Sequence, residues 1–258
     1  MQLRAIILLL ATSLGAAALP PWVAMQAPPA SGAADVTGES ALYYFDANAN
    51  DSSGNGYNLT LTGSPSFVTS LNGSTANGAL AITSTSQYAA QTTAATIVNP
   101  ASSDFTISGW FKPTDLTSGA SERTIYWKID STNEVQLIFD SQGGTTAVIT
   151  LVVDYTGETA QMGEYTTGTV TTGNTYHICA CWSHTSHAIT AIYFNGVAQT
   201  LNAINGYSTS SSAANQLYVG TRQDLYTHYL GVIDDLRIYP FVLTSTQVSN
   251  LYTLGAKQ

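Results

Sequence analysis

From residue 41 onward the sequence alternates apolar and polar residues in short runs cut by turn dipeptides, and helical period is almost absent. Successive side chains of a strand point to opposite faces, so a period of two marks a half-buried strand. Phe105, Ile107 and Phe111 share one face of such a run, with Thr106, Ser108, Trp110 and Lys112 on the other. Val135, Leu137 and Phe139 alternate with Glu134, Gln136 and Asp140. Residues 147–155 are apolar on both faces, the pattern of a central strand. Further runs lie at 176–182, 189–194, 216–219 and 232–239. Trp110, Trp127 and Trp182 fall inside strands and are core candidates first.

The turns carry their own signal. Asn-Gly occurs at 55–56, 72–73, 77–78, 195–196 and 205–206. Both residues tolerate positive φ, which a type I′ hairpin requires. The pair at 195–196, directly after the run 189–194, is the clearest hairpin. About a dozen strands with such spacing predict a sandwich or barrel. One short helix is expected near the end, where Thr244-Ser-Thr-Gln247 is a capping-box pattern and Val248 and Leu251 form an apolar stripe.

A chain of 258 residues can hold one large β-domain or two small ones. Only 9% of the residues are charged and the net charge is −9, with seven scattered basic residues. Nucleic-acid binding needs Lys and Arg in clusters, so this balance argues against it. An excess of Asp over Glu instead permits hard cations, which take oxygen ligands. A Thr, Ser, Asn, Gln, Gly and Tyr coat suits an extracellular protein or a stacked assembly. Cys179 and Cys181 share a strand face with Cα atoms roughly 6.5–7 Å apart by the strand rise, at the upper edge of disulfide reach. They read as buried small hydrophobes.

Residues 1–19 have a short positive start, an apolar run and a small-residue end at Ala16–Ala18. This is the layout of a signal peptide, or of a hydrophobic segment that is retained. Membrane association is expected only in the second case. Residues 20–40, rich in Pro, Ala and Gly, read as a linker or arm. Residues 41–258 form the body.

Four stretches of that body resemble, in order, the LamG-like jelly-roll domains of the concanavalin A-like lectin/glucanase superfamily. Leu42-Tyr-Tyr-Phe-Asp46 followed by Asp51-Ser-Ser-Gly-Asn-Gly56 is similar to their opening. Asp104-Phe-Thr-Ile-Ser-Gly-Trp-Phe-Lys-Pro113 resembles their "FTISAWVKP" strand. Tyr176-His-Ile-Cys-Ala180 with Ile192-Tyr-Phe-Asn-Gly196 resembles their "YHVA … LYVDG" pair. Gly231-Val-Ile-Asp-Asp-Leu-Arg-Ile-Tyr239, then Leu243-Thr-Ser-Thr-Gln-Val248 and Leu251-Tyr252, resembles their close. The chain departs from the pattern at Thr175, where Trp is usual, and at Asn195, where Asp is usual. The resemblance implies an all-β, two-sheet antiparallel jelly-roll sandwich with one short C-terminal helix. It further implies a structural calcium in many members, and roles in binding glycans or proteins.

Strand parity puts Asp234 with Val232, Leu236 and Ile238, and Asp235 with Arg237. A carboxylate facing a core is costly unless it is paired or bound to a metal. Asp46, Asp51 and Asn55 resemble the family's calcium region, so Asp46, Asp51, Asn55 and Asp234 are the candidate Ca²⁺ ligands. The alternative is that Asp234 accepts backbone N–H bonds and Asp51 shapes an Asx-turn. For a glycan or surface protein, Tyr155, Tyr165, Tyr207, Tyr226, His228 and Tyr229 lie in or near loops as candidate contacts.

No catalytic pair is expected. Glycoside hydrolases need two facing carboxylates, and the five Glu residues, at 39, 122, 134, 158 and 164, form no Glu-x-Asp-x-x-Glu pattern. No HExxH, Gly-x-Ser-x-Gly or Gly-rich phosphate loop occurs. The expected function is a non-catalytic recognition module, secreted or surface-displayed, binding carbohydrate or a surface protein. The alternative is a structural subunit of a virion, sheath or filament that self-associates through its jelly roll.

Overall fold

The computed structural model describes residues 33–71, 77–91, 97–117, 122–129, 133–141, 144–155, 162–204 and 216–255. The hydrophobic segment at 1–19 and Tyr207 lie outside them. The strands are β1 (Ala41–Tyr43), β2 (Thr60–Thr62), β3 (Ser66–Thr69), β4 (Gly78–Ile82), β5 (Tyr88–Gln91) and β6 (Phe105–Asp115). There follow β7 (Glu122–Ile129), β8 (Asn133–Ser141), β9 (Thr146–Tyr155), β10 (Met162–Thr166), β11 (Val170–Thr171) and β12 (Tyr176–Ser183). The last are β13 (Ala188–Phe194), β14 (Val197–Ala198), β15 (Leu201–Ile204), β16 (Gln216–Val219) and β17 (Leu230–Tyr239), before helix α1 (Ser245–Leu254).

These strands make two antiparallel sheets. One runs β14-β13-β12-β6-β17-β4-β3, with β1 also on β17; the other runs β15-β10-β9-β8-β7-β16-β5-β2, with β11 on β9. Neighbours far apart in sequence, such as β6 between β12 and β17, are the crossovers of a jelly-roll sandwich. The core between the sheets takes one side of each alternating run. Phe105, Ile107 and Phe111 from β6 meet Val135, Leu137 and Phe139 from β8, all fully buried. Trp182 is buried in the same core, while Trp110 sits on the outer face and stacks on Tyr252 with ring centroids 5.7 Å apart.

The predicted local devices are present. Asn195 and Gly196 have φ of 50° and 78° between β13 and β14, the left-handed pair of a two-residue hairpin. Helix α1 starts at Thr244, whose hydroxyl accepts from Gln247 N while the Gln247 side chain accepts from Thr244 N. Its buried residues Val248 and Leu251 cover a second apolar cluster with Val36, Tyr239 and the two free cysteines, Cys179 and Cys181.

Two expectations are corrected. Between Asp234 and Arg237 the pairing to β6 moves only from Trp110 to Ser108, so β17 carries one extra residue there. Asp235, at φ 47°, is the hinge of this β-bulge. The bulge reverses parity: Ile233, Leu236 and Ile238 line the core, and Asp234 stands opposite Trp110 on the outer face, away from Leu236 and Ile238. The second correction concerns the arm. Val36 is buried in the helix-side cluster, so the folded unit begins before residue 41.

Candidate functional site

The outer-face position of Asp234 sets up a carboxylate pair. Asp234 Oδ2 accepts from Ser70 Oγ at 2.7 Å and Leu71 N at 2.9 Å. Its other oxygen, Oδ1, is buried and has no hydrogen-bond partner among the described residues. Burial, then the neighbouring carboxylates of Asp235 and Asp46, push the Asp234 pKa up to about 7 against the hydrogen bonds from Ser70 and Leu71. Asp46 is held by Gly78 N, which donates to its Oδ1 at 2.7 Å. Gly78 is required at this point, because a Cβ there would lie 2.9 Å from the Phe45 carbonyl oxygen. Phe45 and Ala47 on either side of Asp46 have φ of 60° and 57°, a costly backbone for side chains of this kind. The loop so formed lines a cavity of about 110 Å³ with Tyr44, Phe45, Asp46, Asn48, Asn50 and Ser52.

A buried carboxylate oxygen with no donor asks for a proton or a cation. The cavity beside Asp46 is lined by Asn48, Asn50 and Ser52, residues with the oxygen chemistry a hard ion such as Ca²⁺ takes, although Asn48 Oδ1 already accepts from Asn50 N at 2.9 Å. No group of three or more His, Cys, Asp or Glu side chains converges among the described residues, so carbonyl and amide oxygens would complete the shell.

The other two expected ligands lie apart from this pair in role. Asp51 Oδ1 accepts from Leu42 N and Ser53 N, and Oδ2 from Tyr57 N, at 2.9–3.0 Å. Burial would raise the Asp51 pKa, but hydrogen bonds from Ser53, Leu42 and Tyr57 outweigh it and hold the carboxyl below its usual range. Asn55 Nδ2 donates to the carbonyls of Glu39 and Ser40. Asp51 ties the 51–57 loop to β1 through Leu42 and closes an Asx-turn on Ser53, and Asn55 ties the loop to the residues just before β1.

The five aromatic candidates among the described residues do not form one surface: Tyr226, His228 and Tyr229 share the connection between β16 and β17, while Tyr155 and Tyr165 lie on β9 and β10. Tyr155 is 6% exposed, packs edge-on against Trp182 and bonds His187 Nδ1 through its hydroxyl at 2.7 Å. Tyr229 is wholly buried, stacked on Phe139 at 5.5 Å. Neither offers a surface to a ligand, and both are corrected to core residues. Tyr155 shares the inner face with Val153 and Leu151, and Tyr229 enters the core just ahead of β17. Tyr165 is half-buried on β10 opposite Thr150 and Asn202. Tyr226 is 72% exposed and shares the β16–β17 connection with His228.

The sequence reading missed a buried ionic cluster. Arg237, 2% exposed, donates from Nε and Nη2 to both oxygens of Asp235 at 2.8 and 3.0 Å, as their shared face predicted. Its Nη1 also reaches Asp35 at 2.5 Å and Glu39 at 3.2 Å, and Tyr239 Oη donates to Val36 O at 3.0 Å. The arm is thereby locked onto β17. A charged pair in a Pro- and Ala-rich segment was the only signal.

The two antiparallel sheets and their crossovers define a jelly-roll β-sandwich domain. The chain belongs to the concanavalin A-like lectin/glucanases superfamily, whose family model matches residues 83–249. Solved structures agree in fold. Domain 4 of AbnA, a GH43 extracellular arabinanase from Geobacillus stearothermophilus, in complex with arabinotriose, superposes with a TM-score of 0.58 and 21% identity, covering 83% of this chain and 97% of that one. The binding domain of Paraclostridial Mosquitocidal Protein 1 gives 0.59 and 17%, covering 82% and 51%. The botulinum neurotoxin DC binding domain in complex with rat synaptotagmin II gives 0.53 and 13%, covering 82% and 50%. The chain thus spans about half the length of those two binding domains. No curated protein matches it in sequence.

Proposed function

We propose that this chain is a non-catalytic recognition module that works outside the cell, binds a glycan or a surface protein, and is braced by calcium at Asp46 and Asp234. The observation that carries the calcium is the buried, partnerless Oδ1 of Asp234 beside the Asp46 loop. Binding outside the cell is supported by the superfamily and by its neighbours, one solved with arabinotriose and another with synaptotagmin. The −9 charge and the scattered basic residues turn the module away from nucleic acid. The test is a glycan array with and without Ca²⁺, run beside cell-surface binding assays. Retention on a glycan or on a surface protein is expected; an enzyme that releases reducing sugar from polysaccharide refutes the non-catalytic reading.

A structural subunit is the second reading, and one observation favours it. The outermost strands β14 and β3 of one sheet expose Val197 at 64% and Val68 at 39%. Apolar edge strands are templates for pairing with another chain. Size-exclusion chromatography and electron microscopy separate the two: ordered oligomers without glycan or protein affinity support assembly, and a monomer that binds a ligand supports recognition.

A further inference from the structure

The connection between β16 and β17 is braced by several of its own polar groups and turns Leu225 and Tyr226 outward beside the exposed Gln223 and Asp224. Thr221 Oγ1 donates to Thr227 O at 2.9 Å, and the Thr227 hydroxyl meets Thr124 Oγ1 at 2.6 Å. Arg222 N donates to Thr227 O at 3.3 Å and Leu225 N to Arg222 O at 3.1 Å. Asp224 uses Oδ1 to accept from Tyr226 N at 3.1 Å and Oδ2 to pair with Arg222 at 3.3 Å. His228 places Nε2 against Leu225 O at 2.7 Å, which braces the loop, and its Nδ1 lies 3.1 Å from Thr221 Oγ1. At the tip stand Leu225, 47% exposed, and Tyr226, 72% exposed. Leu225 has φ 56°, a left-handed conformation that a Leu side chain disfavours. Strain held by a surrounding hydrogen-bonded frame is a mark of a functional position. Here the strained residue is one that water should hide.

We infer that Leu225 and Tyr226 form a preformed apolar anchor that docks into an apolar pocket on a protein partner with a basic rim. This rests on the reading of the chain as a recognition module and assigns its partner class. A sugar stacked on Tyr226 would lie beside Leu225, 47% exposed, which offers it no hydrogen bond, whereas an apolar pocket takes both side chains. An anionic lipid surface is disfavoured by the −9 charge of the chain. A rigid aromatic and aliphatic pair suits a protein pocket, where holding the bound shape in advance lowers the entropic cost of association. The same acidity complements a basic rim.

The test pans a phage-displayed random peptide library against the full chain. The expected result is a consensus of apolar and basic residues whose peptides bind at least tenfold more weakly to Tyr226→Ser and Leu225→Asn, and equally well to Val197→Ser. Asn tolerates the left-handed region, so Leu225→Asn is expected to melt no lower than the parent while it loses binding. Peptides indifferent to both tip variants overturn the anchor. Glycan retention, or sedimentation with phosphatidylcholine vesicles, that is lost in Tyr226→Ser overturns the protein partner and leaves the recognition module standing. A chain that retains neither peptide, glycan nor surface protein overturns both.

Discussion

His177 on β12 is buried beneath helix α1, with Nε2 against Ser108 Oγ at 2.9 Å and Nδ1 without a partner among the described residues. Burial, reinforced by the Arg237 charge, lowers its pKa from 6.5 to about 3. Above pH 6.5 both folded and unfolded chains hold it neutral, so it contributes nothing to pH dependence there. As pH falls from 6.5 toward 3 the unfolded chain takes up a proton that the folded chain refuses, and stability is lost. The full loss is about 4–5 kcal/mol at roughly 1.4 kcal/mol per pH unit. Urea unfolding of the parent and His177→Gln at pH 7 and pH 4 measures it: the gap between them should move in favour of the variant at the lower pH, and a constant gap refutes the assignment. Arg237 makes the opposite kind of statement. Arg237→Met strands Asp235 as a buried unpaired charge and should cost about 3–5 kcal/mol in denaturant unfolding, of which Asp235→Asn in the same chain restores a part. The Asp235–Arg237 pair was legible because two residues on one strand share a face. Asp35 and Glu39 were not, since they reach Arg237 across some two hundred positions from a segment with no period.

At the scale of elements, what repeats was readable and what interrupts a repeat was not. Strands β6, β8 and β17 carry alternation, β9 an unbroken apolar run, and β12, β13 and β16 short β-rich runs, enough to place each, and the capping box marked helix α1. Thr244→Ala should cost about 1 kcal/mol by thermal melting, because it removes one half of that reciprocal cap. The two-residue strands β11 and β14 carry no period at all. The bulge in β17 defeated parity for the same reason: one extra residue flips every side chain beyond it, and nothing in Asp234-Asp235 announces the insertion. Tyr155 and Tyr229 show the companion error. A Tyr near a loop reads as surface, yet both rings fill the core, Tyr155 pairing its hydroxyl with His187 Nδ1 and Tyr229 donating to the Val232 carbonyl.

Over the whole molecule, Asp234 stands where three parts of the chain meet. β17 carries it, the segment after β3 binds it through Ser70 and Leu71, and the loop after β1 brings Asp46 close enough to raise its pKa. Two carboxylates drawn together in a half-buried place oppose folding unless something positive stands between them. Bound Ca²⁺ would turn that repulsion into a tie between the first strand and the last. The molecule as a whole should then melt higher in Ca²⁺ than in chelator, with about 2.7 kcal/mol added at a hundredfold excess over the dissociation constant. In Asp234→Asn the increment should vanish, while the melting temperature in chelator stays at or above that of the parent because a buried charge has been removed. Asp51→Asn should behave differently: it loosens a carboxylate that accepts three backbone N–H groups, so it lowers the melting temperature equally with and without Ca²⁺. Calorimetry of the three chains in both conditions decides the matter, and a parent that gains nothing from saturating Ca²⁺ leaves Asp234 to carry a proton instead of binding a metal.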